Sequence, residues 1–403
     1  MERIKPFLQV AGLILVLLLF FVSLELMGSS FKLMGRGFAE TLLSTTSNPF
    51  IGLFIGILAT SLVQSSSTVT AMTVGIVAGG GLTVAGAIPI VMGANIGTSV
   101  TNTIVSLGHI TRKDEFQRAM AGATVHDFFN LMVVAVFFPL ELATRFLSRS
   151  AESLTSGLTG IGGAEFLSPV KAVTKPIAEQ IIALAQDNGV VVLILGLISL
   201  FIALRYLVVL LKALLLGRSE KLIHKYIFGP AGLALLFGTL ITVLVQSSSI
   251  TTSLTVPLVG AGIVTVAQIF PFVLGANIGT TITAMLAALV LASGGEAGGI
   301  AALQVAFAHL CFNVFGVAIV LPFKRLRELP VRLAERLGAL TVKNRAYALG
   351  YVATVFFLIP LLVIFATRNL DTSFYGDEPA EAVEPALEQV DEVAPSDSLR
   401  QSE

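Results

Sequence analysis

Two polar runs interrupt apolar sequence, Gln64-Ser65-Ser66-Ser67-Thr68 and Gln246-Ser247-Ser248-Ser249 with Thr251. Their hydroxyls can donate to an oxyanion and can also offer oxygens to a hard cation. Left without partners in an apolar medium, such groups cost roughly 2–7 kcal/mol each. A lone serine in a span is explained by a bond back to the i−4 carbonyl or by contact between helices. A duplicated Gln-Ser-Ser-Ser run is a different signal. It fits a polar site at membrane depth, where backbone outside a helix is tolerated only if it lines a cavity or is buried in protein.

A second duplicated run follows each tip, Gly93-Ala94-Asn95-Ile96-Gly97-Thr98 and Gly275-Ala276-Asn277-Ile278-Gly279-Thr280. Glycine permits unwound backbone, and asparagine can cap a restarting helix. The run is therefore expected to break its span, with a glycine packing face as the alternative. Asn95, Thr98, Thr101, Asn277, Thr280, Thr281 and Thr283 would then supply cation-binding oxygens. Asp127 stands inside an apolar stretch, with Asn130 one turn on. An ionisable residue within a span is a functional candidate by default. Its structural alternative is a partner for His126 or Arg118.

Positioning these residues takes two copies of one unit. Both duplicated runs recur 182 residues on, and His126/His309, Phe129/Phe312, Asn130/Asn313 and Pro139/Pro322 pair with one further residue inserted. The first copy covers residues 1–145, with a span at 7–27, a re-entrant hairpin at 49–80 (tip 64–68), a broken span at 83–107 and a span at 118–142. The second covers 189–322, with a span at 189–210, a hairpin at 229–261 (tip 246–250), a broken span at 265–290 and a span at 299–322. Three crossings per copy is an odd number, so the copies insert upside down relative to each other. Residues 146–188 are expected as an outer loop, 323–369 as an inner amphipathic helix and a last span, and 370–403 as an acidic disordered tail. The basic residues agree with an inner N-terminus and an outer tail, since most of them fall on the inner side.

Composition supports this frame. Of 403 residues, 55% are hydrophobic and only 12% charged, with mean hydropathy +0.90. Ordinary soluble domains carry about 25% charged residues. Spans of ~20 apolar residues point to an all-α polytopic membrane protein rather than a β-barrel. The first apolar run is too long for a signal-peptide core and reads as a retained span. Zero net charge gives no sign of a nucleic-acid partner, and the single cysteine, Cys311, excludes an internal disulfide. No cofactor, catalytic triad or transition-metal cluster is expected. A helix restarting after each tip presents free N–H groups and a positive dipole end to an anion. With few charged side chains at that depth, a bound dianion needs cations entering with it.

These motifs, with Asp114-Glu115-Phe116-Gln117-Arg118 and Thr124-Val125-His126-Asp127-Phe128-Phe129-Asn130, resemble the type II sodium/phosphate cotransporters over residues 10–325. The resemblance implies import of inorganic phosphate with Na⁺ as coupling ion. Gln64, Ser65, Ser66, Ser67, Gln246, Ser247, Ser248 and Ser249 would form the phosphate site. It also implies alternating access, a multi-pass protein of the inner (plasma) membrane and a homodimer. Ala121, Ala123 and Asp127 match the pattern of electrogenic members, which carry three Na⁺ per divalent phosphate. Runner-up readings are transport of a sulfate-like oxyanion, an ion channel with two re-entrant pore loops, and a sensor without flux.

Overall fold

The computed structural model describes residues 4–34, 48–160, 168–227, 230–292 and 297–367. The acidic tail lies outside the described residues. Helices in chain order are α1 (Ile4–Met34), α2 (Pro49–Val63), α3 (Ser66–Ala78), α4 (Val84–Gly97), α5 (Val100–Leu107), α6 (Lys113–Thr144), α7 (Phe146–Gly160), α8 (Ser168–Leu184) and α9 (Gly189–Ile227). They continue as α10 (Ala231–Val245), α11 (Ser248–Ser253), α12 (Thr255–Gly260), α13 (Val266–Ala292), α14 (Ala297–Val320), α15 (Lys324–Lys343), α16 (Ala346–Ala353) and α17 (Ile359–Thr367). A π-helical turn, Thr354–Leu358, joins the last two.

Seven segments among the described residues are long and apolar enough to cross a membrane: Ala11–Ser30, Val84–Leu107, Lys113–Thr144, Gly189–Tyr206, Val266–Ala292, Ala297–Val320 and Ala346–Thr367. The protein is an all-α polytopic membrane protein. Helices α2 and α10 are equally apolar but only 15 residues long. At 1.5 Å per residue each reaches about 22 Å, short of the ~30 Å hydrocarbon core. Each is thus too short to cross such a core and ends at a left-handed glutamine, Gln64 or Gln246.

The offset of 182 residues is also an offset in packing. A Cβ built on Gly56 would lie 2.0 Å from the Ile90 carbonyl oxygen, and one on Gly238 would lie 2.1 Å from that of Phe272. Gly93 approaches the Leu53 oxygen to 1.9 Å in the same sense, and Gly275 approaches the Leu235 oxygen to 1.9 Å. Gly97 and Gly279 sit against Thr60 and Thr242 in the same way, at 2.7 and 2.6 Å from their Cβ atoms. Helix pairs α2/α4 and α10/α13 thus touch backbone to backbone through glycines that admit no side chain.

This packing corrects one expectation. The glycines of both Gly-Ala-Asn-Ile-Gly-Thr runs are contact points within helix. In the first copy the expected break is present, at the end of the run, Thr98–Ser99, between α4 and α5. In the second, α13 runs through without interruption. Asn95 and Asn277 consequently lie in helix interiors and cap nothing.

Residues 146–188, expected as loop, hold the two helices α7 and α8. The Glu141 carboxylate accepts the Leu147 N–H at 2.6 Å and the Ser148 N–H at 3.3 Å, which caps the start of α7. Leu147, Ala151 and Thr155 then bury one stripe at i, i+4, i+8. Helix α8 buries Ala178 with Val22, Leu26 and Val192. Small residues at helical spacing carry these stripes, and the Gly/Ser/Thr content hid the periodicity. Helix α15 is amphipathic as expected. It buries Pro330, Val331, Ala334, Gly338 and Thr341, with Gly338 against the Gln117 oxygen of α6.

Gly93→Ala or Gly275→Ala forces two helices apart and lowers stability by about 1–3 kcal/mol. Gly232→Ala, on an exposed site of α10 with open space around its Cβ, leaves stability unchanged or raises it. Thermal unfolding of the purified protein in detergent checks the contrast.

Candidate functional site

The two Gln-Ser-Ser-Ser tips are built alike to within a few degrees. Gln64 ends α2 in the left-handed region (φ 57°, ψ 28°), and Gln246 ends α10 likewise (φ 55°, ψ 26°). Their N–H groups donate back to the Thr60 and Thr242 carbonyls at 2.7 Å in both cases. Non-glycine residues rarely adopt this region, and it clusters at ligand clamps. The following serine is extended in each tip (Ser65 φ −150°, Ser247 φ −153°) and caps the next helix with its hydroxyl. Ser65 Oγ accepts the Thr68 N–H at 3.2 Å, and Ser247 Oγ accepts the Ile250 N–H at 3.4 Å. Ser66 and Ser67, like Ser248 and Ser249, then open a helix. Their side chains are buried, and their N–H groups are among those a helix start leaves without intrahelical partners. Two serines per tip therefore present both hydroxyl and amide donors. Helix restart falls at Ser66 and Ser248.

The second tip leans on the first half of the chain, and the helix after the first tip leans on the second half. Ser249 Oγ donates to the Thr98 carbonyl at 3.5 Å, at the α4–α5 interruption. Asn102 Nδ2 donates to Thr252 Oγ1 at 2.9 Å, joining α5 to α11. Helix α3 packs on α13 and α14 in return, with the Ala78 oxygen against Gly298. Thr283 Oγ1 donates to Gln246 Oε1 at 2.6 Å, and Gln246 Nε2 donates to the Val243 carbonyl at 2.6 Å. Gln64 is exposed. Thr101, the counterpart of Thr283, has its hydroxyl buried without a hydrogen-bond partner.

The expected cation ligands divide into three groups. Thr98, Thr280 and Thr281 bond back to carbonyls of their own helices (Ala94 at 2.9 Å, Ala276 at 3.0 Å, Ile278 at 2.7 Å). Asn130 and Asn277, with the Asn95 carbonyl and His126, meet at a buried polar junction, whereas Asp127, Thr101 and Thr283 take no part in it. His126 Nε2 pairs with Asn277 Oδ1. Asn277 Nδ2 donates to Asn130 Oδ1 at 2.7 Å, and Asn130 Nδ2 donates to the Asn95 carbonyl at 2.7 Å. Helices α4, α6 and α13 are thereby tied at one level.

Asp127 is fully buried on the same helix. Its Oδ2 accepts the Tyr351 hydroxyl at 3.0 Å, and its Oδ1 has no partner. Neither structural partner weighed for it is used, since Arg118 Nε donates to the Gly260 carbonyl at 2.9 Å and His126 faces Asn277. Sequence reasoning missed Tyr351, which comes from the last span, 224 positions away and outside both copies. It also missed Asn102 and Thr252. Asn102 was legible as a lone amide in an apolar span, but nothing in the sequence placed it opposite Thr252. A cleft of about 630 Å³ between α7 and α14 is mostly apolar, lined by Phe146, Leu154, Leu310, Val314 and Phe315 with Arg149, and holds none of the expected site residues.

Asn277→Ala strands the Asn130 and His126 polar atoms that it now satisfies, at a cost of about 1–3 kcal/mol. Asn95→Ala, its counterpart, removes only a 3.1 Å bond to the Val91 carbonyl of its own helix and costs less. Melting temperatures of the two variants in detergent test the difference.

Comparison with known proteins places this geometry. The model of the Na⁺/Pi-cotransporter family matches residues 19–166 and 199–342. The chain is 36% identical to sodium-dependent phosphate transport protein 2B of Pongo abelii, covering 87% of this chain and 64% of that protein. It is 35% identical to the Homo sapiens 2B protein, covering 90% and 66%, and 36% identical to the Rattus norvegicus 2A protein, covering 86% and 66%. The chain thus spans about two thirds of the length of these relatives. No solved structure matches. A family match over most of the chain, set on twin hairpin tips of one design, has a single reading: the chain belongs to the Na⁺/Pi-cotransporter family.

Proposed function

We propose that the protein imports inorganic phosphate together with Na⁺ by alternating access, moving net positive charge inward per phosphate. One observation carries the reading. Two tips of identical backbone design bury paired serines at helix starts, and the second tip and the helix that follows the first rest on the opposite half of the chain. The names of the relatives, sodium-dependent phosphate transport proteins, supply the substrate and the coupling ion. Residues 1–145 and 189–322 act as two inverted repeats around one central site, as inverted-repeat transporters do. The protein sits in a plasma membrane as a homodimer, with its N-terminus cytoplasmic and its acidic tail outside.

In this reading the phosphate oxygens take the hydroxyl and N–H donors of Ser66, Ser67, Ser248 and Ser249, with Gln64, Gln246, Ser65 and Ser247 shaping the tips. The free oxygen of Asp127 is the natural seat of a coupling Na⁺, with Ser99 beside the carboxylate. A carboxylate at membrane depth costs several kcal/mol unless a cation pairs with it. Asn130 belongs to the same seat. Asn95, Thr98, Thr101, Asn277, Thr280, Thr281 and Thr283 surround the central polar region and hold the other Na⁺. Back-bonded threonines still offer a free lone pair to a cation.

Radiolabelled phosphate uptake into proteoliposomes decides between transport classes. An inward Na⁺ gradient alone drives phosphate above equilibrium, which a channel or a sensor cannot do, and excess sulfate leaves uptake unchanged. A negative interior potential speeds the uptake. Asp127→Gly abolishes that voltage dependence while Na⁺-dependent uptake persists. Ser66→Ala and Ser248→Ala each weaken phosphate or Na⁺ dependence. Wild-type uptake indifferent to voltage overturns the Asp127 assignment. In a Cys311→Ser background, Glu152→Cys labels from outside and Lys343→Cys only from inside; labelling of both from one side overturns the inverted topology.

A further inference from the structure

The central polar junction is one-sided. His126, Asn277 and Asn130 form a closed chain of hydrogen bonds. Their counterparts at the repeat offset are His309, Asn95 and Asn313. None of the corresponding bonds is made. His309 is 1% exposed, and neither ring nitrogen has a partner. Asn313 is 1% exposed, and its Oδ1 has no partner. Asn313 Nδ2 turns back to the His309 carbonyl at 2.9 Å, and Asn95 Nδ2 turns back to the Val91 carbonyl at 3.1 Å.

Buried polar groups in folded proteins are almost always satisfied. Here three orphaned atoms sit on two residues one helical turn apart, on α14. Each is the counterpart of an atom used on α6, except His309 Nδ1, whose counterpart His126 Nδ1 is also unpartnered. The glycine contacts of the two copies match at the repeat offset, while the span after each tip is interrupted in the first copy and continuous in the second. The difference in hydrogen bonding lies in which amide faces which histidine.

We propose that His309 and Asn313 are positioning residues for transport that act in the conformation opposite to this one. There His309 pairs with Asn95 Oδ1, Asn95 Nδ2 donates to Asn313 Oδ1, and Asn313 Nδ2 donates to the Asn277 carbonyl. His126 and Asn130 are left without these partners in that state. The proposal rests on the inverted-repeat reading above and adds to it a named hydrogen-bond exchange. Its physical content is balance. Each state satisfies one histidine–asparagine set and strands the other, so neither is favoured strongly enough to trap the protein. The exchange re-aims Asn95 and Asn277, which lie one turn before Thr98–Ser99 and Thr280–Thr281, and so moves the oxygens around the ions.

The two histidines give opposite results under one substitution, made in the full chain. His126→Phe removes a satisfied group, and the melting temperature in detergent falls. His309→Phe removes two orphaned nitrogens from this conformation, and the melting temperature stays level or rises, yet Na⁺-driven phosphate uptake drops at least tenfold. His309→Gln, which keeps a donor and an acceptor on the side chain, restores a measurable part of that uptake. Uptake at the wild-type rate in His309→Phe overturns the proposal. So does a loss of uptake accompanied by a matching loss of thermal stability, the mark of a merely structural histidine. The labelling of Glu152→Cys and Lys343→Cys from opposite sides reports separately on the inverted topology. If that labelling holds while His309→Phe transports normally, only the exchange is wrong.

Discussion

Everything near the site depends on two helix pairs that meet backbone to backbone. Where Gly93 faces the Leu53 oxygen and Gly275 faces the Leu235 oxygen, any side chain would collide. In lipid there is little hydrophobic drive to join helices, so close van der Waals approach through small residues does that work. The consequence is positional. A 15-residue helix held along its length against a full span ends at a fixed depth, and the turn that follows ends there too. Gln64 and Gln246 therefore end their helices at matching positions, Gln64 exposed and Gln246 bonded to Thr283.

How much of this was legible follows from which signals the sequence carries. The helix breaks at Gln64–Ser65 and Gln246–Ser247 were, because Gln-Ser-Ser-Ser is an interruption no lipid-facing helix tolerates and because it occurs twice. The spans were, because length and hydropathy suffice. The glycine motifs misled in part. Glycine is permissive of both a break and a close contact, and only the partner helix decides; here the partner was the adjacent hairpin arm, and contact won. Helices α7 and α8 were hidden by their small residues, which look like loop when counted and like a packing stripe when spaced. Tyr351 was out of reach altogether, since a hydroxyl in the last span becomes Asp127's partner only through the tertiary fold.

Chemistry at the site comes from what the fold leaves unsatisfied. Most of its threonines close their own helices, as serine and threonine do in any span. Among the buried polar atoms left without a partner are one oxygen of Asp127, the hydroxyls of Thr60, Thr101, Thr174 and Thr242, and the ring of His309. Each is buried, and each would ordinarily have been removed or paired, because an unpartnered group in low dielectric weakens the fold.

The electrostatics set the order of events. Helix starts and serine hydroxyls attract a phosphate dianion, but dipoles and neutral donors do not neutralise two negative charges in a medium where Coulomb energies are several times those in water. An ionised Asp127 would add to the negative charge of the region. On the proposed function, a Na⁺ at Asp127 ahead of phosphate leaves less uncompensated charge than phosphate binding first. Coupling then needs no dedicated gate for each ion: a half-loaded site carries an uncompensated charge, and a protein holding such a charge resists the change of conformation that would move it across the membrane.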